Sequence, residues 1–163
     1  KVRVFITVTT VDLELWRTIE PGTANPYKRL DALRRLVEAG VPAGVLLAPI
    51  LPGITDSVES LERVADAAAE HGAMWLGSSA LRLRPIVKEH YLGFVEQEFP
   101  DLLDRYARAY PVTNAPKAYQ DALTARVDKI REQFGFGEDS MRMRGLTPAP
   151  APPQPLQMAL PLL

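Results

Sequence analysis

The chain of 163 residues contains no cysteine and only two histidines, His71 and His90. The first absence excludes a disulfide framework and any thiolate metal site built from this chain alone. The second, with the two rings far apart in sequence, argues against a histidine metal site. Charge of one sign is missing too: 19 basic residues face 20 acidic ones. No global field therefore draws the chain toward nucleic acid or an anionic membrane, although a local basic patch stays open. No run is long and apolar enough to span a bilayer, and no secretory signal opens the chain. A cytoplasmic protein with no membrane partner is the expectation. Neither GxGxxG nor a Walker sequence occurs, so no Gly-rich phosphate loop is expected. GxSxG is absent, and two histidines do not furnish an arguable Ser–His–Asp set.

What is there is a real core: 47% of residues are hydrophobic, and the length suits one domain or a piece of a larger one. The most informative stretch is VPAGVLLAPILPGITD, Val41 to Asp56. An apolar run ends in a Pro/Gly turn, and the turn ends in residues able to cap a helix. Such a run reads as a strand buried on both faces, followed by a crossover to a parallel neighbour. In such architectures ligands sit where strands end and helices begin. The chain opens on Lys1 and runs at once into a strand, which reads as the later portion of a longer protein; a trimmed tag or processed terminus is the plainer alternative.

Val2 to Thr10 is β-branched and predicts the first strand. Asp12 to Ile19 predicts a short helix, and Asn25–Pro26 an N-cap followed by proline at the first helical position. Leu30, Leu33, Leu36 and Val37 share a helical face that Gly40 closes. The second strand is expected from about Ala43 to Pro49, and the next helix from an acidic capping box of Asp56 and Glu59. Its stripe is Val58, Leu61, Val64, Ala65 and Ala68, closed by Gly72. The third strand is expected at about Ala73 to Leu81, where Gly77, Ser78, Ser79 and Ala80 suggest close approach of a backbone or ligand. Strand–helix–strand–helix–strand with short loops makes two right-handed crossovers. Half of a (β/α) barrel is the natural reading, with an open doubly wound sheet as competitor. Ile86 to Phe99, Leu102 to Tyr110 and Pro116 to Phe134 predict a helical extension. From about Gly135, with PAPAPPQP within it, the composition predicts a disordered or polyproline-like tail.

Several residues are candidates for chemistry, each against a plainer reading. Alternation puts Thr7 and Thr9 on one face at the first strand's end, where hydroxyls can bond a ribose or a carboxylate; threonine is also simply a good strand former. Pro49, Pro52 and Gly53 shape the turn after the second strand, and Gly53 admits close approach to the main chain; a plain loop is the favoured alternative. Arg82 and Arg84 fall on one face after the third strand and can clamp carboxylate or phosphate, or bridge to a helix acid. His90, Tyr91, Arg105, Tyr106, Arg108 and Tyr110 mix bases and aromatics, which can bind nucleic acid; an ordinary amphipathic helix pair outweighs that reading. His71, at a helix end, reads as structural.

Taken together, these pieces resemble a family. TVTTVDLELWRTIEPGTANPYKRLDALRRLVEAG and GVLLAPILPGITD resemble the second half of a radical SAM (S-adenosylmethionine) domain. The resemblance is strongest to an actinobacterial group related to spore photoproduct lyase. That group shows a Ser/Thr-rich strand, an EPGT-type loop, a helix ending in EAG and a PxxPGxxD turn. ALRLRPIVKEHYLGFVEQEFPDLLDRYARAYP and APKAYQ are similar to its C-terminal region, so the resemblance runs from about Lys1 to Phe134.

The resemblance implies a partial (β/α)6 TIM-like barrel, of which residues 1–84 would hold the last three strands. Residues 85–134 would be a helical extension and 135–163 a Pro-rich tail. It implies S-adenosylmethionine as cofactor and a [4Fe–4S] cluster held by CxxxCxxC, which cleaves SAM reductively to a 5′-deoxyadenosyl radical. Without cysteine this chain cannot ligate that cluster, so it would be a fragment, inactive alone, whose partner is the missing N-terminal half of the barrel. By similarity Thr7 and Thr9 would contact SAM, Ile50, Pro52, Gly53 and Asp56 would form the turn near the adenine, and Leu81 and Arg82 the end of the last strand. No catalytic residue transfers. A bare margin at the first strand and a cavity rimmed by Thr9, Gly53 and Arg82 are expected. The alternative is a non-catalytic binding module on a half-barrel scaffold, using its helical extension and tail. A nucleic-acid-binding role rests on fold-level analogy with the DNA-repair relative and on modest basic clusters.

Overall fold

The computed structural model describes residues 3–136, an α/β arrangement with three parallel strands in one sheet. Residues 137–163, which hold most of the expected tail, and residues 1 and 2 lie outside the described part. In chain order the elements are β1 (Val4–Thr7), α1 (Leu13–Ile19), α2 (Pro26–Glu38), β2 (Ala43–Ile50), α3 (Val58–Glu70), β3 (Leu76–Ala80), α4 (Pro85–Glu98), a 3-10 turn (Pro100–Leu102), α5 (Leu103–Ala109) and α6 (Lys117–Gln133). The strand order is β1-β2-β3, with Ile6 opposite Val45 and Val45 opposite Leu76. None of the described helices is long and apolar enough to cross a membrane.

Local chemistry sets the boundaries. Asp12 caps α1 by accepting from the Glu14 and Leu15 amides at 3.0 and 3.1 Å. Those amides and the nearby Arg63 hold its carboxyl below the usual range. Asn25 caps α2, accepting from Tyr27 N at 2.8 Å, with Pro26 just inside the helix. At α3 the expected cap shifts by one residue. Ser57 accepts from Ser60 N at 3.1 Å, because Asp56 is engaged elsewhere. The displaced cap puts Val58, expected in the apolar stripe, at the helix start and 49% exposed.

The sheet has two unlike faces. Val4, Ile6, Val45, Leu47 and Leu76 pack against Leu30 and Leu33 of α2, Leu61 and Val64 of α3, and Val127 and Ile130 of α6. Phe136, expected at the start of the tail, is buried in the same core. On the opposite face Phe5 and Thr7 are exposed, Leu46, Ala48 and Trp75 are half-buried, and Ser79 is exposed. Purely parallel sheets are ordinarily covered on both faces, so this one presents an unusual bare side. Close packing lowers that side further. A Cβ at Gly77 would lie 2.9 Å from the Leu46 side chain, and one at Gly44 2.2 Å from the Trp75 ring. Gly77 of β3 is thus explained by the neighbouring Leu46 side chain. β1 and β3 each pair on one side only among the described residues. An arginine meets each free edge: Arg29 donates to Thr7 O at 3.1 Å and Arg131 to Leu76 O at 2.7 Å.

Candidate functional site

The carboxyl ends of all three strands open on one cavity of about 400 Å³. Thr9 follows β1, Pro49 and Leu51 end β2, and Leu81 follows β3. The segment Thr18 to Pro21 closes one side, and His90, Tyr91 and Phe94 of α4 the other. The wall is mainly apolar, with one carboxylate, Glu20, in it. That placement follows from α1, whose C-cap is Glu20.

Glu20 is tightly held. Thr9 Oγ1 donates to Glu20 Oε1 at 2.8 Å, and Arg29 Nη2 pairs with Oε2 at 2.8 Å. Arg29 also donates from Nε to Ala24 O at 2.8 Å, besides its bond to Thr7 O. One guanidinium thereby fixes the end of β1, the loop after α1 and the start of α2, a geometry that Arg supplies and Lys does not.

Behind α4 an aromatic cluster secures the strand ends. Tyr106 and Tyr110 stack at 5.9 Å and are fully buried, and Tyr110 OH donates to Leu81 O at 3.2 Å. Tyr91 lies 5.5 Å from Tyr106 and 5.8 Å from Phe94. Burial pushes the hydroxyls of Tyr91, Tyr106, Tyr110 and Tyr119 above their usual range, and the Asp56 charge adds to this for Tyr110 and Tyr119.

The candidates named from sequence do not all converge. Thr9, Pro49, Leu81, His90 and Tyr91 line the cavity. Thr7 lies on the bare face, exposed, while Thr9, just past the end of β1, is bonded to Glu20 and 5% exposed. Ile50 is buried in the core beneath the sheet. Pro52 faces a separate pocket of about 190 Å³, lined also by Arg105, Tyr106 and Tyr119. Gly53 adopts φ +78°, and Leu102 and Arg105 occupy the side where a Cβ would stand, Leu102 at 3.3 Å. Asp56 accepts from Gly53 N at 2.8 Å and from Tyr119 OH at 2.9 Å, and its carbonyl accepts from Arg126. It fastens the turn to α6. Arg82 is exposed, in an isolated bridge to Asn114, and lines a third pocket with Ser79 and Gln120. The expected rim joining Thr9, Gly53 and Arg82 is therefore not formed. Tyr106 and Tyr110 are buried and offer no ring to a base, whereas Arg84, Arg105 and Arg108 are exposed.

Glu20, Leu51 and Phe94 escaped the sequence reading as cavity residues. Glu20 stood within the EPGT loop, where a carboxylate after a short helix was a usable signal. Nothing local marks Leu51 or Phe94.

No family model matches the chain. Uncharacterized proteins of Mycobacterium bovis and of two strains of Mycobacterium tuberculosis are each 29% identical to it over 154 residues, 94% of this chain and 43% of theirs. The chain thus spans less than half the length of these curated relatives.

Proposed function

We propose that this chain is the C-terminal half of a radical SAM barrel, a wall around a chamber in which S-adenosylmethionine is cleaved and a substrate loses a hydrogen. The observation that carries the reading is the sheet's asymmetry. All the packed helices beneath it, α2, α3 and α6, lie on one face, and the other face is bare. In a (β/α) barrel the helices form the outer ring and the opposite face lines the interior. Free edges at β1 and β3 are where a closing barrel adds strands. The shared length with relatives more than twice as long agrees with a chain that needs further strands.

The residues present divide the cofactor's parts. A [4Fe–4S] cluster does not fit here: the chain has no cysteine, and the described residues contain no group of three His, Cys, Asp or Glu able to hold a metal. Its ligands belong to another segment. SAM fits better as something this chain contacts without anchoring. Thr7 on the bare face and Thr9 and Leu81 at the strand ends are the residues that would face it. When bound, SAM would supply the adenosyl group that abstracts hydrogen, on receiving an electron from the cluster held by the other segment. The part left to these residues is to bound the chamber, keep water out and hold polar groups in register. Arg29 holds Glu20 and the end of β1 in place, so the strand ends stay ordered before ligand arrives.

The test uses the whole protein that contains this segment, reconstituted anaerobically with iron and sulfide. Cluster incorporation and reductant-dependent consumption of SAM are expected, and Leu46→Glu on the bare face should abolish both. A full-length protein that takes up no cluster would sink the reading.

A further inference from the structure

The cavity at the strand ends has a recognition chemistry of its own. Glu20 contributes acceptors but no net charge, because Arg29 balances it; their side chains are 20% and 16% exposed. The Thr9 proton is already given to Glu20 Oε1. A carboxylate offers roughly four lone-pair sites, so about two remain, together with the lone pairs of Thr9 Oγ1. Around them Leu51, Leu81 and Phe94 supply apolar and aromatic surface. Tyr91 OH is directed at Tyr106 and Thr18 Oγ1 at the Glu14 carbonyl, so apart from the exposed His90 ring the polar side chains of the wall present acceptors.

We propose that this cavity binds a neutral, flat, largely apolar molecule carrying one or two N–H or O–H donors. The donors sit on Glu20 and Thr9, and the flat body packs against Phe94 and Leu81. An anion meets a carboxylate whose arginine is already engaged, and among the lining side chains it finds a donor in the exposed His90 ring alone. A cation gains little, since Arg29 already satisfies the charge. A donorless molecule of the same shape leaves the Glu20 lone pairs dry, and that penalty is what discriminates. The volume of about 400 Å³ lies within the usual range for small-molecule pockets. This inference requires only the cavity and does not rest on the SAM reading.

Benzamide and acetophenone make the test, because they differ by an NH2 in place of a CH3 at nearly constant shape. Each is titrated into the full 163-residue chain and followed by amide NMR. Benzamide should shift the amides of Leu51, Leu81 and Phe94 and bind roughly tenfold more tightly than acetophenone. Glu20→Gln should bring the two probes within about twofold of each other. Phe94→Ala, at a partly exposed position, should weaken both alike, so the proposal stays testable if Glu20→Gln fails to fold. Equal affinities for the native chain, no binding of either at millimolar concentration, or shifts confined outside the cavity would overturn it. Displacement of benzamide by S-adenosylhomocysteine would overturn it as a separate site and assign the cavity to the adenosyl ligand. Failure of the cluster experiment above would leave this result untouched.

Discussion

The two hydrophobic clusters of this molecule are built by different rules. Beneath the sheet the core is chiefly aliphatic, Val, Leu, Ile and Ala from three strands and three helices, closed by Phe136. At the strand ends the second cluster is centred on tyrosines whose hydroxyls are engaged: Tyr110 with Leu81 O, Tyr91 with Tyr106. The first is held by volume and has no preferred direction. The second is held by volume plus hydrogen bonds, and those bonds aim backbone groups at particular places. A scaffold can be made by the first rule alone. Fixing loops at the mouth of a site takes the second.

The contrast can be broken from the aliphatic side first. Leu47→Ala, at a position 1% exposed, should destabilise by about 3 kcal/mol through lost burial and a cavity, read as a lower denaturant midpoint with unchanged slope. An unchanged midpoint would mean that the sheet core does not carry the fold. Gly44→Ala should cost about 2 kcal/mol, because the added methyl meets the Trp75 ring and its carbonyl oxygen at 2.5 Å, and moving the ring alone does not relieve both. The rim should respond to something the core ignores, namely alkaline pH. Its tyrosines have native pKa values raised above the ordinary value of about 10. Above that pH the unfolded chain releases protons that the native chain retains. The contribution of these tyrosines to stability is therefore constant up to about pH 10 and is lost beyond it. Absorbance of tyrosinate should rise together with loss of the helical signal; tyrosinate appearing well before unfolding would contradict the buried cluster. Tyr119→Phe should cost about 1 kcal/mol at neutral pH by releasing Asp56. Asp12→Ala should be the mildest, below about 1 kcal/mol, from loss of the α1 cap.

Much of the scaffold was legible in the sequence because it depends on local rules. Gly40 and Gly72, both at positive φ, end α2 and α3 where expected. Asn25–Pro26 begins α2, and three parallel strands follow from apolar runs alternating with helical stripes. What was not legible involves partners distant along the chain. Asp56 and Ser57 are both good caps, and Asp56 is taken by the turn through Gly53 N and by Tyr119, 63 residues away, leaving Ser57 to the helix. Gly77 looked like room for a ligand and is instead room for Leu46. Thr7 and Thr9 read alike in a period of two, yet Thr9 meets Glu20 and is buried whereas Thr7 is exposed. The cavity needed three loops and α4 at once, so of its lining the sequence offered Thr9, Pro49, Leu81 and the EPGT loop without the reason they meet.

Trp75 has a practical consequence. Its ring lies against Gly44, with the Arg3 guanidinium carbon 5.4 Å from its centroid and Phe5 at 5.6 Å, and its Nε1 has no hydrogen-bond partner among the described residues. The only other tryptophan, Trp16, is near the surface and donates to Thr23. A Trp16→Phe chain therefore fluoresces from one indole set in the sheet's open side. Whatever comes to cover that side should drive the emission toward shorter wavelengths, so the protein carries its own optical gauge of completion.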